Sequence, residues 1–311
     1  MTAFRQFVNL DSDLSMFLCS EIEYVKSRMM EQKYPELLAR RLFPVSYSSN
    51  PAAAYIVVHN YDQVGSAKII NYYANDLPNV ALFRSGTDTR KIYAIGVAFG
   101  YSVQDIRAAR AAGIGLEQRL ANVARYAYLQ KENDLAMLGD TNLGIPGFVN
   151  NPNTNSVTLA NGASGGSKAW STKTPDEIIK DIADTIAAIR TASNGVETPN
   201  TLLLPEAQYT KIATTPRAAT SDVTILEFVL ASNPFLTAVI PVYQLKGAGA
   251  SATDVMIAYD RNPDKVTLEV AQDFEVLPAQ EKALMYEFPC HGRTAGVVLW
   301  APKSVAQANG I

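Results

Sequence analysis

Residues 139–154 read Gly-Asp-Thr-Asn-Leu-Gly-Ile-Pro-Gly-Phe-Val-Asn-Asn-Pro-Asn-Thr and follow the longest helical pattern of the chain, from about Leu116 to Leu138. Gly139 is suited to end that helix, because glycine readily adopts the left-handed backbone that closes helices. The helix would be about 35 Å long at its usual rise per residue. Its spacing predicts a narrow apolar stripe that fades towards the C-terminal end, at Leu116, Leu120, Val123, Ala127, Gln130 and Asp134.

A long helix with a partial apolar face lies on a surface or between subunits. The loop that follows it contains no spare nucleophile, no metal-ligand cluster and no phosphate-binding glycine pattern. This stretch therefore predicts a building element and favours assembly over catalysis.

The composition points the same way. The 311 residues are 48% hydrophobic and only 18% charged, with a net charge of −3 and 15 tyrosines. A chain with few charges buries surface against partners, and tyrosine is enriched at protein interfaces, although it also packs on sheets. The negative net charge predicts only weak, non-specific contact with nucleic acid.

The two cysteines and the N-terminus indicate the compartment. Cys19 and Cys290 are far apart and have no metal-site spacing, so we expect reduced thiols in a protein made in a reducing cytoplasm. No signal peptide and no apolar run of membrane-spanning length is present, so we expect no membrane partner.

Residues 46–100 predict a β-rich region with strands near 55–58, 64–73 and 91–101. A turn signal at Ser85-Gly86 predicts an extended hairpin. A two-stranded unit is marginal alone in water, so this hairpin is expected to lie on something. Four basic residues along this region are candidate intersubunit contacts: Lys68, Arg84, Arg90 and Lys91. They would either protect the strand edges or contact an acidic face of a neighbouring subunit.

The remaining pattern predicts an α+β fold. Ser102 and Asp105 form a capping-box-like helix start, and Thr174-Pro-Asp-Glu177 is the clearest helix start in the chain. Residues 170–260 then alternate helix and strand, and residues 266–298 are again β. The buried stripe of the helix after Thr174 is predicted at Ile178, Ile182, Ile186 and Ile189.

The sequence contains only weak matches to catalytic and metal-binding motifs. Ser164 lies in Gly162-Ala-Ser-Gly-Gly166, which matches the nucleophile-elbow pattern, but no helix follows directly, and only His59 and His291 could serve as a base. His59 and Asp62 are too few for a metal site. We therefore expect no catalytic residue, no metal and no cofactor. Carboxylate pairs such as Asp181 and Asp184 are interpreted as solvated helix faces.

Several motifs resemble those of tailed-phage major capsid proteins with the Hong Kong 97 fold, and more specifically the encapsulin-like family of coat proteins. The resemblance covers about residues 35–302. The matching stretches are Tyr61–Ile70, Ala98–Ser102 with Ala108–Gly113, Glu132-Asn133 with Gly139-Asp140, Gly144–Asn150 and Arg293–Pro302.

The resemblance implies names for the parts of the chain. Residues 1–45 would be the N-terminal arm, 46–95 the E-loop, and 96–165 the P-domain with its spine helix. Residues 166–262 would be the A-domain, and 263–311 the returning P-domain strands and the C-terminus.

The resemblance also implies a function. The chain would be a non-enzymatic, late structural protein that self-assembles as pentamers and hexamers into an icosahedral virion capsid around double-stranded DNA, with portal, scaffold and decoration proteins as further partners. Cross-linking through Lys68 or Lys91, as in the type member, cannot be read from sequence. Two alternatives stay open, namely the shell of an encapsulin-type nanocompartment with protein cargo and a serine hydrolase using Ser164.

Overall fold

The computed structural model describes residues 36–69, 79–112, 119–163, 165–218 and 222–311. These residues form a compact unit that begins at Leu37 and ends at Ile311. The helix predicted after Asp11, the helix end at Gly113 and the candidate nucleophile Ser164 lie outside the described residues. None of the described helices is long and apolar enough to span a bilayer.

The described part contains six α-helices and fourteen strands. The helices are α1 (Ala39–Leu42), α2 (Val103–Ala112), α3 (Arg119–Met137), α4 (Pro175–Ala192), α5 (Glu206–Thr214) and α6 (Ile225–Ser232). The strands are β1 (Val45–Ser46), β2 (Tyr55–Val64), β3 (Ala81–Lys91), β4 (Tyr93–Ser102), β5 (Gly139–Asp140), β6 (Ile145–Pro146), β7 (Asn155–Val157), β8 (Thr201–Leu204), β9 (Ala238–Pro241), β10 (Val255–Tyr259), β11 (Val266–Val276), β12 (Gln280–Lys282), β13 (Met285–Leu299) and β14 (Val305–Asn309).

The first sheet is built around the long strand β13. It pairs antiparallel with β11, from Val266 opposite Leu299 to Val276 opposite Cys290, and with β4 and β12 along its first half. The short strand β1 adds in parallel to the outer edge of β11. Between Glu269 and Glu275 the β11–β13 pairing contains register shifts, which increase the local twist of a strand pair.

The second sheet has the order β7-β14-β10-β8-β9. The resemblance grouped residues 263–311 together and assigned residues 96–165, which include 155–157, to the P-domain with the spine helix. In the structure β11 and β13 lie in the first sheet, whereas β14 lies in the second sheet between β10 and β7. The last strand of the chain thus completes a sheet that is otherwise built from much earlier segments.

The second sheet is buried on both faces. Along β10, Val255, Ile257 and Tyr259 pack into one core with the first sheet and the end of α3. The alternate residues Met256 and Ala258 pack into a second core with α4, α5 and α6. This period-two division is what a strand covered on both sides requires. The predicted stripe of α4 lies in the second core, because Ile178, Ile182, Ile186 and Ile189 are all buried there.

The stretch after α3 folds back and caps that helix. Strands β5 and β6 pair, and the amides of Phe148 and Val149 donate to the carbonyls of Ala136 and Met137 at 2.9 and 3.0 Å. Gly139 has a φ of +72°, and a Cβ there would lie 2.2 Å from the Ile145 carbonyl oxygen. The glycine is therefore required both by its backbone conformation and by the close approach of the returning chain.

The buried face of α3 differs from the predicted one. Val123 is 63% exposed, whereas Ala124, Tyr128 and Leu135 are buried, so the prediction of that stripe was wrong. The stripe was predicted to fade towards the C-terminal end of the helix. Burial instead increases there, and Ala136 and Met137 are fully buried. Its buried face includes polar groups, which the apolar pattern could not indicate.

The hairpin also differs from its prediction. Strands β2 and β3 pair from Tyr55 opposite Lys91 to Val64 opposite Ala81, so the hairpin turns between 64 and 81 and not at Ser85-Gly86. The pairing passes from Asn60–Gly86 to Tyr61–Arg84, which leaves Ser85 as the extra residue of a β-bulge. The predicted third strand, at 91–101, corresponds to β4, which begins at Tyr93 and belongs to the first sheet, whereas Lys91 ends β3.

Candidate intersubunit interface

The hairpin of β2 and β3 is a separate two-stranded sheet, and its described residues contact the first sheet at the base of the hairpin. Six apolar side chains on its strands are 47–64% exposed: Tyr55, Val57, Tyr61, Val64, Leu82 and Phe83. The register places Tyr55, Val57, Tyr61 and Leu82 on one face and Val64 and Phe83 on the other. Both faces of this ribbon therefore present apolar surface to solvent.

The base of the hairpin is held by the first sheet. Arg293 on β13 donates from Nη2 to the carbonyl of Ala53 at 2.8 Å, and from Nη1 to the carbonyl of Pro51. Ile56 and Ile92 pack there against Ala271 and Ala295 in a small apolar cluster. The hairpin is therefore anchored at one end and exposed over the rest of its described length. Arg293 belongs to one of the stretches that carry the family resemblance, but its contacts with the hairpin base were not predicted.

The four predicted basic contacts do not form one cluster. Lys68 is exposed in the segment after β2. Arg84 is exposed on β3 and donates to the Thr87 hydroxyl. Arg90 is half-buried on β3, and the Lys91 ammonium lies 5.3 Å from the ring centroid of Tyr93. Arg84 and Lys91 are seven residues apart, about 23 Å along an extended strand, so they would contact different parts of a partner.

A second set of contacts, near the C-terminal end of α3, joins α1, α3 and β11. Arg40 on α1 donates from Nε and Nη2 to the carboxylate of Glu132 at 2.9 and 2.8 Å, and from Nη2 to Asp273 on β11 at 2.7 Å. The hydrogen bond from Arg40 holds the pKa of Asp273 below its usual range. Beside this network burial raises the pKa of Tyr128.

The same end of α3 also caps the N-terminus of α1. The amide of Ala39 donates to Oδ1 of Asn133 at 2.9 Å. Glu132 and Asn133, which carried part of the family resemblance, therefore hold the start of the compact unit against α3. Their role is structural.

The described structure does not bring together the residues that were considered for catalysis or metal binding. His59 is exposed on β2, and His291 lies on β13 opposite Gly96 and Glu275. Cys290 is buried, which raises the pKa of its thiol. Within the described residues, no group of three or more histidines, cysteines and carboxylates could hold a metal ion.

Taken together, a second sheet that is covered on both faces, a long helix packed on the first sheet and an anchored, exposed hairpin indicate a subunit built for assembly. The chain belongs to the major capsid protein family, whose model matches residues 65–311. No curated protein matches the chain.

Solved structures show the same fold at low sequence identity. The capsid of Myoviridae phage XM1 has a TM-score of 0.77 and 16% identity, covering 94% of this chain and 98% of that one. The capsid of an empty GTA particle has a TM-score of 0.61 and 14% identity, covering 91% and 93%. A virus-like particle from Pyrococcus furiosus has a TM-score of 0.56 and 12% identity, covering 86% and 90%. The expected capsid fold is thereby confirmed.

Proposed function

We propose that this major capsid protein assembles as pentamers and hexamers into the icosahedral shell of a tailed phage and that the shell encloses double-stranded DNA. The observation that carries the proposal is the hairpin, whose apolar residues are exposed on both faces in a member of this family. A two-stranded ribbon of this kind is marginal in water and gains stability by lying on another surface.

The contacts would be heterologous, with the hairpin of one copy lying on the body of the next copy. Heterologous contacts that close on themselves generate rings, and each subunit then touches several neighbours. Modest contacts are sufficient under these conditions, because every further contact within a ring is effectively intramolecular.

Within this proposal, each part of the chain has its own role in the shell. Residues 1–45 would act as an arm, 46–95 as the overlapping loop, and the first sheet with α3 as the framework of the shell wall. The second sheet with α4, α5 and α6 would face the centre of each ring. Portal, scaffold and decoration proteins would bind the finished or growing shell, and synthesis would take place in the host cytoplasm.

The second candidate is a nanocompartment shell with protein cargo. It is favoured by the likeness to the virus-like particle, which shows that this fold is not restricted to phage capsids. The contents of particles purified from the producing host separate the two candidates. Packaged DNA gives strong absorbance at 260 nm and a nuclease-protected genome, whereas protein cargo gives neither.

The hydrolase alternative is tested separately. Ser164 lies outside the described residues, and the amide of the preceding Ala163 donates to Oε1 of Glu177 at 2.8 Å. This contact ties the glycine-rich segment to the start of α4. Loss of a measurable esterase activity in Ser164→Ala, in a monomeric protein, would favour the hydrolase.

The direct test of the proposal is electron microscopy and sedimentation of the purified protein, expressed alone and with the genes that flank its own. We expect closed shells of uniform size. A chain that stays monomeric under both conditions and at all concentrations would contradict the proposal.

A further inference from the structure

Glu269, on β11, is a buried carboxylate without a charged partner among the described residues. Its side chain is 2% exposed. The other buried charged groups in the same part of the chain are all paired, namely Glu132 with Arg40, Lys173 with Asp181, and Asp260 with Lys265. Buried charges in proteins are normally paired or neutralised, so the environment of Glu269 lacks a cation.

The contacts of Glu269 come from hydroxyl groups. Thr267 donates to Oε1 and Ser49 donates to Oε2, both at 2.9 Å. The indole Nε1 of Trp300 in turn donates to the Thr267 hydroxyl at 2.7 Å. These groups orient the carboxylate but supply no positive charge. Each oxygen retains acceptor capacity, because a carboxylate can accept about four hydrogen bonds.

The carboxylate lines an open groove of about 400 Å³ on the surface of the first sheet. Asp264 is exposed at its rim, and the remaining wall consists of Ser46, Ser48, Pro263, Thr267 and Trp300. None of these residues is basic. The neighbouring Lys265 is engaged by Glu197 and Asp260, both at 2.5 Å, so it does not neutralise the groove.

The groove fits a guanidinium better than a metal ion. Only two carboxylates line the groove, and within the described residues no group of three or more histidine, cysteine or carboxylate side chains could hold a metal ion. A guanidinium, in contrast, stacks on an aromatic face such as Trp300, donates to hydroxyl and carboxylate oxygens together, and is weakly enough hydrated to enter a partly buried site.

We propose that this acidic groove binds the Arg84 side chain of a second copy of the chain. This inference rests on the proposed function and adds a specific contact to it. Arg84 is exposed on β3 and donates from Nη2 to the Thr87 hydroxyl, which leaves further guanidinium donors for a partner. Lys91 lies over Tyr93, and Arg90 is half-buried. Lys68 lacks the planar guanidinium.

Arg84 of the same chain cannot fill the groove. It pairs with Tyr61, six residues along β2 from the hairpin base, which corresponds to about 20 Å of extended strand. The groove lies at that base, where Ser49 contacts Glu269. A head-to-tail contact, in which the middle of one hairpin lies over the base of the next hairpin, brings the two together. Repetition of that contact is heterologous and closes into a ring.

The test is a double-mutant cycle on shell assembly with Arg84→Gln and Glu269→Gln. Glutamine at 269 still accepts hydrogen bonds from Thr267 or Ser49 but carries no charge. We expect each single variant to raise the concentration of unassembled subunit at equilibrium about tenfold, and the double variant to be no worse than either single one, because contacting groups are not additive. Arg107→Gln, an exposed cation on α2, is the matched control and should leave assembly unchanged.

Additive effects of the two substitutions, or normal assembly of Arg84→Gln, would overturn the inference. If Glu269→Gln does not fold, the density of the wild-type shell at side-chain resolution decides: a guanidinium between Glu269 and Trp300 supports the inference, and an empty groove refutes it. Failure of the proposed function gives a different result, since the wild-type protein would then form no shells at all.

Discussion

The phenol of Tyr128 on α3 packs directly onto the backbone of Gly292 on β13. A Cβ atom at position 292 would lie 2.4 Å from the phenol oxygen and 2.6 Å from the ring carbon that bears it. Tyr128 is 1% exposed, and its ring centroid lies 5.4 Å from that of Phe274. The helix α3 is thus seated on the long strand β13 at a position where glycine leaves room for the phenol.

Gly292→Ala should therefore destabilise the subunit by about 1–3 kcal/mol, because the ring or the strand must shift to accept the methyl group. Chemical denaturation of the unassembled subunit measures the change. Gly96→Ala is the matched control in the same sheet, since the nearest atom to a Cβ there is 3.9 Å away. Equal stability of the two variants would show that α3 is not seated in this way.

Arg40→Met should cost about 1–3 kcal/mol of unfolding free energy at neutral pH. The side chain of Glu132 is 2% exposed and would lose its charged partner, while partial exposure of Arg40 limits the loss. Lys303→Met, an exposed cation, should change little. Thermal denaturation with both variants checks the difference.

The same variant has a predictable pH dependence. Arg40 holds the pKa of Asp273 below its unfolded value of about 3.9. Stability from this pair is therefore fully present above the unfolded pKa and is lost as the pH falls through the folded pKa. The deficit of Arg40→Met should shrink below about pH 4. A deficit that stays constant down to about pH 2 would contradict the assignment.

The buried face of a helix could be predicted from the sequence where its buried residues are apolar, and not where they are polar. Along α4 apolar spacing identified the buried isoleucines, although the polar residues Asp181 and Thr185 are buried beside them. Along α3 apolar spacing failed, because Glu132 and Asn133 are buried for their hydrogen bonds and Val123 is exposed. A periodic apolar pattern cannot indicate a face that is buried through ion pairs.

The hairpin was predicted, but its turn was misplaced, because Ser85-Gly86 has the chemistry of a turn and forms a bulge instead. The position of β14 in the second sheet depends on pairing between distant segments. No local signal reports that pairing.

Asp181 and Asp184 lie three residues apart on α4, but their substitution should change the stability of the subunit by different amounts. Asp181 is buried, accepts from the Lys173 ammonium at 2.6 Å and from the Trp170 indole at 3.0 Å, whereas Asp184 is exposed. Asp181→Asn leaves a buried lysine without its counter-charge and should cost about 3 kcal/mol. Asp184→Asn should lie within about 0.5 kcal/mol of wild type.

Denaturant unfolding of these variants measures the difference, and the double variant Lys173→Met/Asp181→Leu extends the test. It removes both charges together, so it should recover part of the loss, because a paired apolar replacement leaves no unpaired charge. Equal effects of Asp181→Asn and Asp184→Asn would mean that the carboxylate of Asp181 is solvated, as the sequence pattern suggested.

Tyr61→Glu/Leu82→Glu should abolish assembly while leaving the subunit folded. Both side chains lie on the same exposed face of the hairpin, so the charges cost little in the free subunit, within about 0.5 kcal/mol each. In an assembled contact the same charges would be buried without partners, which costs far more. Val196→Glu, a similarly exposed apolar position after α4, is the matched control and should assemble. Sedimentation velocity and electron microscopy report the outcome. Shells at normal yield from the hairpin variant, with the same thermal stability as wild type, would show that this face of the hairpin does not contact another subunit.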